Sequence, residues 1–188
     1  MDKNILIIGP ARAGKTTLSR KLNEQLKYSI VNLDNIISAL ELAYPELEIK
    51  HDALDVVVAS NFASFIINYL KELSEGNFYY ENKFVIEGTH IDFEKLIPNI
   101  DKEKYMIIGL TYNNITNEEL FRNIKDNDTE DDWTYYLSDE ELKGNVDYFI
   151  ERNNFFDEQF KKYDIKTYDV STDRKKIFDV IIKDILNK

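Results

Sequence analysis

The chain contains no cysteine, only three prolines and only six glycines among its 188 residues. The absence of cysteine excludes disulfides, iron–sulfur clusters, thiolate-bound metals and cysteine nucleophiles. Basic residues are also few, because 24 lysines and arginines stand against 35 acidic residues and give a net charge of -11. This charge opposes binding to a phosphate backbone or to an anionic lipid surface, so neither nucleic acid nor membrane is an expected partner.

Long hydrophobic runs are missing as well. The first residues lack the basic segment and apolar core of a secretory signal, and no apolar stretch has membrane-spanning length. A cytoplasmic protein is the simplest interpretation. At 43% hydrophobic and 13% aromatic residues the chain is too apolar for a disordered polymer. Its length fits one domain over residues 1–188.

The hydrophobic pattern alternates between strands and helices. A short apolar run at residues 5–8 predicts a buried strand, and leucines at 18, 22 and 26 predict a helix over residues 14–27. Four more strands are predicted at residues 28–33, 83–87, 104–111 and 165–170, with helical segments between them. This alternation predicts an α/β fold with a five-stranded parallel sheet and helices on both faces.

Residues 116–145 differ from the rest in being polar and acidic. Thr116 with Glu119, and Ser138 with Glu141, have the spacing of capping boxes that begin helices. We interpret the segment as short helices in a mobile, lid-like projection. Its acidic run, Asp128, Glu130, Asp131 and Asp132, is expected to be a solvated loop.

Two of the scarce glycines fall in one window, residues 9–16, with the sequence Gly-Pro-Ala-Arg-Ala-Gly-Lys-Thr. It matches the phosphate-loop motif G-x-x-x-x-G-K-[ST] without exception, between a predicted strand and a predicted helix. In this motif backbone N–H groups surround the β-phosphate, the lysine contacts the β and γ oxygens, and the hydroxyl serves Mg²⁺. The expected ATP-binding residues are therefore Gly9, Arg12, Ala13, Gly14, Lys15, Thr16 and Thr17. For Thr17, contact with the α-phosphate and a plain first-turn position are equally open.

Two acidic residues end predicted strands, Asp34 after the second strand and Glu87 in the third. Ligands in doubly wound sheets bind beyond the carboxyl ends of the strands, which places both acids in one crevice with the phosphate loop. A carboxylate there can orient an attacking hydroxyl and accept its proton, and we expect this of Asp34. Helix capping by Asp34 is the alternative. Glu87 is expected to join Thr16 at Mg²⁺, with an ordinary strand-end carboxylate as the alternative.

The loop, the acid at the end of the second strand and the Phe-Val-Ile-Glu-Gly segment together resemble the P-loop small-molecule kinases. This group includes uridine kinase, chloramphenicol phosphotransferase, shikimate kinase and adenylate kinase. The resemblance implies the three-layer P-loop NTPase fold and a requirement for ATP and Mg²⁺. It also makes Asp34 the counterpart of the acceptor base in uridine kinase and chloramphenicol phosphotransferase.

The positions of the arginines indicate which class of acceptor to expect. Only five arginines occur, and none lies between Arg20 and Arg122. Nucleoside monophosphate kinases typically bind the acceptor phosphate with arginines in this middle region, so an acceptor without a phosphate is favoured. In the resembled kinases lid arginines stabilise the transferring phosphate. Arg122 and Arg152 are the candidates, with an exposed helix arginine as the alternative for each.

The sequence therefore predicts an ATP-dependent kinase that transfers the γ-phosphoryl group to a hydroxyl of a nucleoside, sugar or antibiotic-like molecule. A nucleoside monophosphate kinase is the alternative, and a nucleotide-binding regulatory module is the alternative from another class. His90 is expected either to contact the acceptor or to be a plain surface histidine. Residues 171–173 are expected either to bind the adenine or to cap a helix. The sequence leaves the acceptor and the oligomeric state open.

Overall fold

A computed structural model describes residues 3–50, 55–75, 82–130 and 132–187. In these ranges five strands form one sheet: β1 (Asn4–Ile8), β2 (Ser29–Asn32), β3 (Phe84–Gly88), β4 (Tyr105–Thr111) and β5 (Thr167–Asp169). The α-helices are α1 (Lys15–Leu26), α2 (Leu33–Ala43), α3 (Asp55–Glu75), α4 (Phe93–Leu96), α5 (Asn117–Asn127), α6 (Asp139–Lys162) and α7 (Arg174–Leu186). Short 3-10 helices cover Pro45–Leu47, Ile97–Asn99 and Trp133–Tyr136.

The strands are parallel and lie in the order β2-β3-β1-β4-β5. Chain order and spatial order differ because β3 inserts between β1 and β2, after the chain has passed through α2 and α3. The predicted five-stranded parallel sheet is thereby confirmed.

Side chains of β1 alternate between two hydrophobic cores, one on each face of the sheet. Ile5 and Ile7 belong to a core closed by α1, α5 and α7, while Leu6 and Ile8 belong to a core closed by α2, α3 and α4. Helix α6 contributes to both cores. All four of these apolar side chains are fully buried. This explains why β1 is a continuous apolar run rather than an alternating one, since strands buried on both faces have no solvent side.

The 116–145 segment differs from the expected projection. Both predicted capping boxes are present and begin α5 and α6. However, α5 packs on the body of the protein, because Leu120 and Ile124 are buried in the same core as Leu142 of α6. The mostly polar composition of this segment did not indicate that one face of α5 is apolar and buried.

The apolar pattern also predicts a long amphipathic helix over residues 52–73 that ends at Gly76, and both its predicted start at Asp52 and Gly76 lie outside the described residues. No described helix is both long and apolar enough to cross a bilayer.

Candidate active site

Side chains donate hydrogen bonds to four consecutive carbonyl groups of the phosphate loop. The oxygens of Gly9, Pro10, Ala11 and Arg12 accept hydrogen bonds, in that order, from Thr89 Oγ1 (3.2 Å), Lys15 Nζ (2.9 Å), Tyr112 Oη (3.0 Å) and Arg174 Nη2 (3.0 Å). In a trans peptide the N–H points opposite to the preceding carbonyl. The N–H group of Arg12 therefore points away from the buried Tyr112 hydroxyl, an orientation that suits a phosphate bound inside the loop.

The side chains that hold the loop are themselves fixed. Tyr112 is 2% exposed, and its hydroxyl is also 3.1 Å from the Phe149 carbonyl of α6, so its single proton is shared between two carbonyl acceptors. Burial raises the pKa of Tyr112 well above its usual value, although the nearby charges of Arg174 and Arg12 oppose the shift. The phenol therefore stays protonated and remains a donor. Burial, and to a lesser extent repulsion by Arg12, lowers the pKa of Arg174.

The loop leads into α1 through Gly14, whose φ of 83° lies in the left-handed region. A side chain at Gly14 would be strained, and one at Gly9 would lie 2.7 Å from the Leu110 carbonyl oxygen of β4. Gly14 is the N-cap of α1 and has no side chain to cap the helix, and a helix N-terminus of this kind suits an anion. Ala13 is buried, while Thr16 and Thr17 are exposed on this first turn.

Glu87 lies beside the loop in a network of neutral donors. Its Oε1 accepts from Thr16 Oγ1 at 2.9 Å and from Asn32 Nδ2 at 2.6 Å, and the residue is 1% exposed. Parallel pairing of β2 with β3 sets Asn32 opposite Glu87. Within the described ranges no lysine or arginine forms an ion pair with Glu87. A buried carboxylate next to a hydroxyl is a donor set that suits a hard cation such as Mg²⁺.

Asp34 lies in the first turn of α2, but it does not cap that helix. The cap is Asn32, whose Oδ1 accepts from Asn35 N at 2.9 Å. The capping alternative for Asp34 is therefore wrong, because the helix begins two residues earlier than that alternative requires. The Asp34 side chain is 42% exposed, and its Oδ1 lies 3.5 Å from Nδ1 of His90, whose side chain is 10% exposed. His90 is thus not a plain surface histidine.

The two candidate lid arginines differ in position. Arg122 is a surface residue of α5, with a side chain 70% exposed and paired to Glu118 at 3.5 Å, and the structure does not bring it to the loop. Arg152 lies on α6, with its guanidinium 4.5 Å from the ring centroid of Phe155. The next residue, Asn153, accepts from Tyr112 N at 2.9 Å, which holds this part of α6 at the carboxyl end of β4.

Arg12 forms ion pairs within the acidic run that was expected to be a solvated loop. Its Nη1 donates to Asp132 at 2.5 Å and its Nη2 to Asp128. The solvated-loop expectation is therefore wrong for these two aspartates, because they connect the end of α5 to the phosphate loop. Asp131 lies outside the described residues. At residues 171–173, Asp173 caps α7 by accepting from Lys176 N at 3.0 Å.

No protein-family model matches the chain. A shikimate kinase from Clostridium botulinum (strain Okra / Type B1) is 31% identical over 137 residues, which cover 64% of this chain and 79% of that enzyme. The chain belongs to the shikimate kinase family. The family membership identifies it as a P-loop kinase that uses ATP to phosphorylate a hydroxyl of a small molecule, as the sequence predicted.

The chain is also similar to two further proteins. A tRNA dimethylallyltransferase from Malacoplasma penetrans (strain HF-2) is 29% identical over 139 residues, which cover 69% of this chain but only 46% of that longer protein. The solved shikimate kinase from Acinetobacter baumannii in complex with shikimate superposes with a TM-score of 0.60 at 17% identity, over 100% of this chain and 94% of that one. At this identity the superposition establishes the fold alone, and it confirms the three-layer P-loop fold.

The loop-holding role of Tyr112 is testable. Tyr112→Phe removes the hydrogen bonds to the Ala11 and Phe149 carbonyls, so we expect unfolding to become easier by about 1–2 kcal/mol. We also expect ATP affinity to fall severalfold, because the loop loses one of its outer supports. Urea denaturation and nucleotide titration measure the two effects.

Tyr44→Phe is the matched control, since Tyr44 is 53% exposed and is not one of the side chains that donate to the loop carbonyls. Equal effects of the two substitutions, or full ATP affinity in Tyr112→Phe, would show that the phenol does not support the loop.

Proposed function

We propose that the active site lies where the phosphate loop meets the carboxyl ends of β2 and β3, and that Asp34 activates the acceptor hydroxyl. One observation carries this proposal: Thr16 is hydrogen-bonded to Glu87, and Glu87 to Asn32, two residues before Asp34. This chain of contacts joins the phosphate-binding end of the site to the acceptor end. A hydroxyl bound at Asp34 would then face a phosphate bound in the loop.

The roles follow from the chemistry of each group. Lys15 and the inward N–H groups of the loop, with Thr17 within reach, stabilise the negative charge of the triphosphate. Asp34 orients the acceptor hydroxyl and accepts its proton as the new phosphoester bond forms, while ADP leaves. Arg152 lies on the part of α6 that is held at the carboxyl end of β4, so it is better placed than Arg122 to contact the transferring phosphate. For Arg122 the structure provides no support beyond its position in the sequence.

Thr16 and Glu87 would hold Mg²⁺. The described residues contain no cluster of three histidine or acidic side chains that could bind a metal alone. Mg²⁺ in kinases is usually bound through one or two protein carboxylates together with substrate phosphates, and Glu87 with the Thr16 hydroxyl suits that role. When bound, the ion neutralises charge on the phosphate oxygens.

Two acceptors are favoured by different observations. Shikimate is favoured as the acceptor because the relative of which this chain covers 79% is a shikimate kinase. An uncharged polyol or nucleoside follows from the absence of arginine between Arg20 and Arg122, since a carboxylate or phosphate on the acceptor is normally bound by arginine. We infer that the acceptor carries no phosphate. A cytoplasmic location is part of the proposal, because millimolar ATP is found there.

The acceptor is identified by screening shikimate, sugars, nucleosides, nucleoside monophosphates and aminoglycosides for stimulation of ADP release in the presence of MgATP. We expect stimulation by a hydroxyl compound without a phosphate and a product heavier by one phosphoryl group. Lys15→Ala is the control and should abolish the stimulation. Consumption of a monophosphate would instead indicate a nucleotide kinase, and ATP binding without any stimulation would indicate a regulatory module.

The base role predicts the behaviour of Asp34→Asn. Asparagine can still hydrogen-bond to the acceptor but cannot take its proton, so we expect kcat to fall by about 10²- to 10⁴-fold. ATP affinity should change less than twofold in the same variant, and Glu46→Gln, an exposed acid beyond the end of α2, should change neither. Unchanged turnover in Asp34→Asn would remove the assigned role.

A further inference from the structure

The phosphate loop is tied to the end of α5 through one side chain, Arg12. Its guanidinium reaches Asp128 and Asp132, more than a hundred residues away in sequence, and its own side chain is 17% exposed. The two carboxylates offset the positive charge of Arg12 at the edge of the loop. The arrangement therefore reduces the attraction of the loop for a triphosphate rather than increasing it.

The backbone of Arg12 is held in one conformation. Its φ of 64° lies in the left-handed region, which is unfavourable for a residue with a side chain. Its carbonyl is held by Arg174 at 3.0 Å. The main chain of the loop thus stays fixed while the guanidinium, at the end of a flexible side chain, can change partners.

The two carboxylates are unequal. The Asp128 side chain is only 4% exposed, so separating it from Arg12 would leave a buried charge uncompensated. The Asp132 side chain is 32% exposed, and its Oδ2 also accepts from Thr129 N and Thr129 Oγ1, both at 3.1 Å. Burial alone would raise the pKa of Asp132, but the hydrogen bonds from Arg12 and Thr129 outweigh it and the pKa is lowered. Asp132 is therefore ionised at neutral pH, and water and Thr129 can stabilise it without Arg12.

We propose that a phosphate of bound ATP replaces Asp132 at Arg12, while Asp128 stays in place and positions the guanidinium. The proposal rests on the proposed function only in requiring that ATP binds the loop. A guanidinium has five N–H donors, so it can keep Asp128 and take a phosphate together. Triphosphate charge repels the Asp132 carboxylate, and the exchange moves Asp132 toward solvent. Asp132 thus competes with ATP and sets its affinity.

The only tryptophan of the chain reports on this exchange. Trp133 directly follows Asp132, is 55% exposed, and lies edge-on to Phe149 with ring centroids 6.1 Å apart. Movement of Asp132 changes the surroundings of the indole, so its fluorescence follows the exchange without an added label.

The test measures ATP affinity by Trp133 fluorescence in the full chain without acceptor. We expect Asp132→Asn to bind ATP about three- to tenfold more tightly, because the competing charge-assisted contact is lost. Asp126→Asn removes the same charge from the exposed surface of α5 and should change affinity less than twofold. In an Arg12→Ala background, which weakens binding, Asp132→Asn should have no further effect.

The outcomes separate this inference from the proposed function. Unchanged or weaker binding in Asp132→Asn, equal tightening in Asp126→Asn, or the same tightening without Arg12 would overturn the exchange while leaving the kinase assignment in place. Calorimetric titration repeats the measurement without relying on Trp133. Failure of the unaltered protein to bind ATP in both assays would overturn the proposed function and the exchange with it.

Discussion

The hydrogen bonds to four consecutive phosphate-loop carbonyls are the constraint on which the site depends. Each carbonyl is bound by a side chain from a different part of the chain: the β3–α4 connection, the start of α1, the end of β4 and the start of α7. The loop is therefore shaped by the surrounding fold rather than by its own sequence alone. Because a carbonyl and the N–H group that follows it point in opposite directions, the hydrogen bond from Tyr112 to the Ala11 carbonyl also fixes the direction of the Arg12 N–H group.

The strand order extends this site toward the acceptor. Insertion of β3 between β1 and β2 puts Glu87 beside the loop and Asn32 beside Glu87. Asp34 and His90 then meet at the ends of neighbouring strands. A sheet of different order would separate the phosphate-binding and acceptor-binding groups. Under the proposed function, the fold brings the phosphate loop and Asp34 to one edge of the sheet, while local side chains supply the chemistry.

The sequence predicted most of the fold, because buried parallel strands and amphipathic helices have strong hydrophobic patterns, as β1 and α1 show. It also predicted Lys15, Thr16 and Glu87 as neighbours, because the motif and the strand ends fix their places. It could not predict that Tyr112 and Arg174 hold the loop, since nothing in their local sequence marks a contact made so far along the chain. The ion pairs of Arg12 could not be predicted for the same reason. In addition, the charge-rich sequence around Asp128 is equally typical of a solvated surface.

Hydrogen exchange of the loop amides with and without MgATP tests most directly whether these N–H groups form the phosphate site. Saturating MgATP should slow exchange at residues 11–16 strongly, and more than at the surface residues of α5. Unchanged exchange at residues 11–16 under saturating nucleotide would contradict a phosphate site built from inward N–H groups.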